Sequence, residues 1–279
     1  MLSDIIKTNS SDIYSSVISR YVEDSDNKTN RQLISEIYNI LKKDYRNEYF
    51  YKNTILNEIL IKLHKVESTI ALTEIPVSNS IADIIMINGV PKVYEIKTEL
   101  DNFYKLEGQI NDYYKAFEYV SVVTSESNID KLKEFLQSLG NWSYSKCVGI
   151  YYIDSDSNLK LKKSPKSYKG CLDKKTMFQI LRKKEYETIL QNMNLSLPKV
   201  SQFHYYSECL NLFSSQPIEK VYNEFFSILK TRSVITNEEL KIIPEELREV
   251  VYFSKVKQVD YDKLQLFLNA LYTNKKERA

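Results

Sequence analysis

The sequence predicts an α/β fold: a mixed β-sheet flanked by helices, with N-terminal helices before it and an all-helical C-terminal region after it. Three observations carry this. Apolar residues recur at helical spacing up to about residue 65. From Ile70 to Leu161, short runs rich in Ile, Val and Tyr alternate with helical patterns. Beyond Gly170 the helical period returns and strand signals cease.

Taken in order, residues 1–46 read as two amphipathic helices, 3–22 and 30–44, split by the polar stretch Glu23 to Lys28. A third helix spans 47–65. Ile70 to Val77, Ile81 to Ile87 and Val90 to Lys97 follow as strands. A helix over 103–118, for which Asp101 is the expected cap, leads into the valine-rich strand Tyr119 to Thr124. Another helix over 128–139 ends at Gly140, a residue suited to the left-handed stop. Cys147 to Ile153 and Leu159 to Leu161 are two more strands around the Asp154 to Asn158 turn. The polar, basic stretch 162–170 reads as a linker. Expected domains are therefore an N-terminal helical segment over 1–46, a core over 47–162 and a helical C-terminal domain over 171–279. Asn237-Glu238-Glu239 and Pro244-Glu245-Glu246 look like helix starts with acidic first turns.

The composition excludes several classes. The 279 residues carry a net charge of +2, so any nucleic-acid surface must be local. Cys147, Cys171 and Cys209 are far apart and fit neither a metal spacing nor a disulfide framework. Two histidines, His64 and His204, leave little for a histidine-based site. The opening residues show no basic region followed by an apolar stretch, and no apolar run reaches the ~18 residues of a membrane span. A reduced, cytoplasmic setting and no membrane partner are expected. Abundant Tyr, Lys, Asn and Ile suggest an AT-rich bacterial genome.

The most informative segment runs from Ile81 to Lys97. Two apolar runs flank Asn88-Gly89, a hairpin signal, yet they contain Asp83, Glu95 and Lys97. Ions are costly to bury, so a buried hairpin carrying three needs a reason. Two carboxylates that hold a divalent metal, with an ammonium balancing charge, supply one. Glu95 and Lys97 share a face. Asp83 joins them only if paired residue numbers sum to an even value. A three-residue loop, Ile87-Asn88-Gly89, meets that condition by setting Met86 opposite Val90 with Gly89 left-handed.

Asp83, Glu95-Ile96-Lys97 and the following Gln109-x-x-x-Tyr113 resemble the PD-(D/E)xK nuclease superfamily, in its RecB-like branch with a Gln-x-x-x-Tyr motif. The Ala82-Asp83 dyad and the Tyr94-Glu95-Ile96-Lys97 strand look closest to a poorly characterised bacterial family within it. The resemblance covers roughly residues 45–160. Ala82 stands where the name-giving proline would be.

This resemblance implies a restriction-endonuclease-like core and a Mg²⁺- or Mn²⁺-dependent phosphodiester hydrolase. Asp83 and Glu95 would hold the ion, with the Ile96 carbonyl as a further ligand. Lys97 would orient water or stabilise charge, and Gln109 and Tyr113 would position Lys97, the water or a base. A further acid usually lies on the helix before the sheet. Placing Glu48 at zero, Ile59, Leu63 and Leu56 fall within about 80° of it, which borders the apolar stripe. Glu58 falls on the wet side, and Glu74 suits a strand-end cap, so Glu48 is the expected metal acid. The implied partner is nucleic acid, DNA ahead of RNA, in phage defence or mobile-element biology; a homodimer would let one site cut each strand. The alternative is a catalytically silent nuclease-fold adaptor or nucleic-acid-binding protein. Lys160, Lys162, Lys163, Lys166 and Lys169 are a candidate phosphate track.

Overall fold

A computed structural model describes residues 12–63, 69–140, 144–232, 240, 242–253 and 258–273. The expected helical residues 3–11, the helix start at Asn237 and the expected helix residue His64 lie outside them. His204 lies on a helix, as its neighbours imply.

The chain forms two compact units, one of Met1–Asn57 with Ile235–Ala279 and one of Glu58–Val234. The first contains α1 (Asp12–Tyr21), α2 (Asn30–Asp44), α3 (Glu48–Ile55), α10 (Arg248–Phe253) and α11 (Gln258–Asn269). α2 starts at a capping box in which Thr29 and Gln32 exchange side-chain and backbone bonds. α3 continues as a π-helix over Leu56–Leu63. Tyr14, Ile18, Leu33, Leu247, Leu264 and Leu268 form the core of this unit.

The second unit is built on a six-stranded mixed sheet, ordered β1 to β6 in sequence. Its strands are β1 (Ile70–Val77), β2 (Ser80–Asn88), β3 (Val90–Lys97), β4 (Tyr119–Ser125), β5 (Gly149–Ile153) and β6 (Leu159–Lys163). β1, β2 and β3 pair antiparallel, β3, β4 and β5 parallel, and β6 antiparallel to β5. Helices α4 (Leu106–Tyr114) and α5 (Ile129–Ser138) make the crossovers that parallel strands require. Then come α6 (Lys174–Ile180), α7 (Lys183–Asn192), α8 (Gln202–Ser215) and α9 (Ile218–Lys230).

The predicted order of helices and strands is the observed one, with three differences. First, pairing of β2 with β3 runs through Ile87↔Pro91 to Asn88↔Val90, rather than closing with Met86 opposite Val90. Gly89 sits alone at the tip with φ +75°, which no Cβ penalises. The parity is still even, so the condition for a shared face is met. Second, α4 starts at Leu106, because Asp101 does not cap it; the Asp101 carboxylate accepts the Thr98 amide and hydroxyl, both at 2.7 Å, and closes a turn of its own.

Third, the contacts divide the chain differently from the expected 1–46, 47–162 and 171–279. Stretch 162–170 is tied to the sheet unit: the Lys166 amide donates to Cys147 and the Tyr168 amide to Glu118. Beyond it, Met177, Phe178, Ile189, Phe213 and Phe225 enter the same core as Ile85, Val93, Val122 and Ile150 of the sheet. The Phe225 ring lies 5.9 Å from that of Phe117. Helical periodicity cannot tell a helix packed on a sheet from one in a bundle of its own.

A Phe225→Ala substitution should therefore destabilise the sheet unit by roughly 3–5 kcal/mol, read by urea unfolding. A change below ~1 kcal/mol, within the range of a surface substitution, would show that α9 is not part of the sheet's core.

Candidate active site

The site forms where two strands part. Pairing of β2 with β3 ends at Ile84↔Tyr94, and the same register one step further sets Asp83 opposite Glu95. From there β3 continues beside β4 alone, through Lys97↔Thr124. The parting leaves the buried Ile96 amide without a strand partner, and a buried N–H needs one. The Asp83 carboxylate accepts it at 2.6 Å, a charge-assisted bond.

A second irregularity lies on the other side of Asp83. Thr73↔Ile84 and Ile75↔Ala82 pair normally, so Glu74 stands opposite Asp83, yet that pair is missing from the ladder. Glu74 has φ +53°, a left-handed conformation that costs a non-glycine residue on the order of 1–3 kcal/mol. The Asp83 carbonyl is satisfied by the Thr73 hydroxyl at 2.8 Å. Carboxylate oxygens of Glu74 and Asp83 lie within 4.8 Å of each other. Glu74, Asp83 and Glu95 thus occupy one row across three adjacent strands.

Glu95 is 1% exposed and collects donors. Its Oε1 accepts from Lys97 Nζ at 2.7 Å and from the Gln109 amide. Lys97 Nζ also donates to Gln109 Oε1 at 2.9 Å, closing a three-membered network. The Tyr113 hydroxyl donates at 2.6 Å to Glu95 Oε2 and lies 2.7 Å from the Ile81 carbonyl oxygen. Burial, then the Glu95 charge and hydrogen bond, push the Tyr113 pKa far up, so it remains a donor. A carboxylate offers about four lone pairs, so one on Oε2 is left after these three bonds. Lys97 has three N–H bonds and uses two in this network.

α4 delivers Gln109 and Tyr113 from one face, four residues apart. Asp112, between them, fixes the helix to the β1–β2 turn. One oxygen accepts from the Asn79 amide at 3.2 Å and the Ser80 hydroxyl at 2.8 Å; the other accepts from Lys115 at 2.7 Å. Burial alone would raise its pKa, but the bonds from Lys115, Ser80 and Asn79 outweigh that and lower it.

The structure thus brings together Asp83, Glu95, Lys97, Gln109 and Tyr113. Ile96 enters through its amide, as a donor to Asp83. Glu48 opens α3 beside its cap Asn47 and pairs with Lys52 at 2.7 Å. Glu58 pairs with Lys62 one turn on. Sequence reasoning set Glu74 aside as a cap. The signal that finds it is the two-residue turn Ser78-Asn79, since pairing Val77 with Ser80 makes Glu74 face Asp83.

Fold and site define an α/β protein with a carboxylate–lysine network at the parting of two sheet strands. The chain belongs to the bacteriophage P4 protein cII family, whose model matches residues 41–249. No similar curated protein and no similar solved structure was found. Among the described residues, no helix is long and apolar enough to cross a membrane.

Replacing Asp112 with Ala should cost about 1.5–3 kcal/mol at neutral pH, the range for hydrogen bonds to a charged group. A lowered folded-state pKa gives stability that is present above the unfolded value and lost as pH falls through the folded one. The gap between wild type and variant in urea unfolding should therefore narrow as the medium is acidified below the usual Asp range. A gap that does not narrow would contradict this role.

Proposed function

We propose that this chain is a metal-dependent nuclease that hydrolyses phosphodiester bonds, DNA ahead of RNA, on a PD-(D/E)xK-like core. The observation that carries the reading is the convergence of Asp83, Glu95 and Lys97, with Gln109 and Tyr113, at one parting of strands. A hairpin that merely needed charge on its surface would not bury Glu95 and surround it with three donors. The family's namesake is a bacteriophage protein, which suits a part in phage or mobile-element biology.

The donor set suits Mg²⁺ or Mn²⁺. Glu74 and Asp83 present hard oxygens within 4.8 Å, close to the ~4.2 Å that two ligands on opposite sides of Mg²⁺ would span. Glu95 keeps one lone pair beyond its three bonds. When bound, such an ion supplies Lewis acidity to the phosphate and a more acidic water.

The remaining work falls to the chain itself. Asp83 is held in place by the Ile96 amide. Lys97 is held by Glu95 and Gln109 with one N–H to spare, which can meet a phosphate oxygen as negative charge develops on it. Tyr113 stays protonated and holds the second Glu95 oxygen in place. Gln109 donates to Glu95 and accepts from Lys97, so it sets the distance between the acid and the ammonium.

The test is cleavage of plasmid, linear duplex, single-stranded DNA and RNA with Mg²⁺ or Mn²⁺. Asp83→Ala and Lys97→Ala should each lose on the order of 10²-fold or more, the scale of one electrostatic group. Glu74→Gln and Glu48→Ala decide which further acid holds the ion. Wild-type protein that cleaves nothing, and takes up no metal by calorimetry, would overturn the proposal in favour of a silent adaptor with the same fold.

A further inference from the structure

A second polar site lies at the far edge of the sheet. A cleft of about 410 Å³ opens between α5 and the β5–β6 edge, and four lysines line it: Lys133, Lys146, Lys162 and Lys163. Lys133 comes from α5 and Lys146 from the segment before β5. Gln137 and Ile150 complete the walls between them.

Lys162 and Lys163 are consecutive, so in a regular strand they would point to opposite faces. The register shows how both reach one cleft. Tyr151 pairs with Leu161 and Ile150 with Lys163, which leaves Lys162 as an extra residue in a β-bulge. A bulge sets two residues of one strand against one of its partner and re-aims the side chains. The local ladder is thus broken at the point where two ammonium groups are brought together.

Like charges so placed repel each other unless an anion sits among them. Asp130 pairs with Lys133 at 2.9 Å, and Lys162 also acts on it. Burial lowers the Lys163 pKa, and Lys166 adds to that. Among the described residues that line the cleft there are four lysines and no carboxylate, which leaves it net positive.

We propose that this cleft binds phosphate groups, those of a nucleic-acid strand whose scissile bond lies at Asp83 and Lys97. The sheet supplies the spacing. Glu95, Val122, Ile150 and Lys163 follow one another across four adjacent strands. At ~4.8 Å per strand the separation is about 14 Å. The row from Glu95 to Ile150 is buried, so a strand passes around it, and the two sites lie at least on the order of four base steps apart at ~3.4 Å each. Phosphate contacts at that distance fix register without reading sequence.

This inference rests on the nuclease reading for its partner but not for its chemistry, so the test measures binding in EDTA, where no cleavage occurs. Fluorescence anisotropy of a labelled oligonucleotide is followed against salt for wild type, a Lys146→Gln/Lys162→Gln pair and the variant with all four lysines changed to Gln. Circular dichroism melts check folding; the pair alters only two exposed lysines and guards against a misfolded quadruple variant. We expect the quadruple variant to bind at least ~10-fold more weakly, with the salt slope reduced by roughly 0.9 per lysine lost, and the pair to show about half that slope change. Unchanged affinity and slope in both lysine variants would overturn the proposal. Pyrophosphate is titrated in parallel; lysine-dependent binding of it with no oligonucleotide binding would also overturn assignment to a strand. If the wild type never cleaves but the lysine variants lose oligonucleotide binding, the nuclease reading fails and the cleft remains.

Discussion

The bond from the Ile96 amide to the Asp83 carboxylate is the constraint on which the rest of the site depends. Two strands that pair as a hairpin cannot also separate without stranding a backbone donor at the fork. Water cannot satisfy a buried amide there, so a side chain must. A carboxylate does this more strongly than a neutral acceptor. One interaction both closes the fork and aims an anion.

Glu74 and Glu95 depend on that geometry in opposite ways. Glu74 adopts a strained left-handed backbone and stands, exposed, near the half-buried Asp83. Glu95 is buried, and its charge is met by Lys97, Gln109 and Tyr113. Removing one partner of such a network leaves a buried ion uncompensated, which costs more than the bond itself contributes. The sheet thus offers one carboxylate held for balance beside two that are held for contact. The carboxyl ends of parallel strands are where open α/β sheets commonly place ligands, and Lys97 closes such an end.

Much of this was legible in the sequence, for identifiable reasons. Charged residues inside apolar runs mark a site because burial is costly; Asp83, Glu95 and Lys97 were found that way. Face parity follows from a period of two, so the shared face survived a misplaced register between β2 and β3. Glu74 was missed because its neighbours gave no cue that the backbone would turn left-handed there, although the Ser78-Asn79 turn encodes its partner. The sharing of one core by the sheet and α6 to α9 was not legible, since apolar periodicity says which face is buried but not against what. Lys162 and Lys163 read as a linker with a candidate phosphate track, but their entry into one cleft is not legible because a bulge leaves no mark in composition.

Titration of Mn²⁺ into the ¹⁵N-labelled protein, followed through amide line widths, tests the central claim most directly. Asp83 anchored at the fork predicts early, selective broadening of Glu74, Asp83 and Ile96, and none of it in Asp83→Asn. Broadening spread evenly over the surface, or unchanged by the substitution, would contradict a metal site built on that carboxylate.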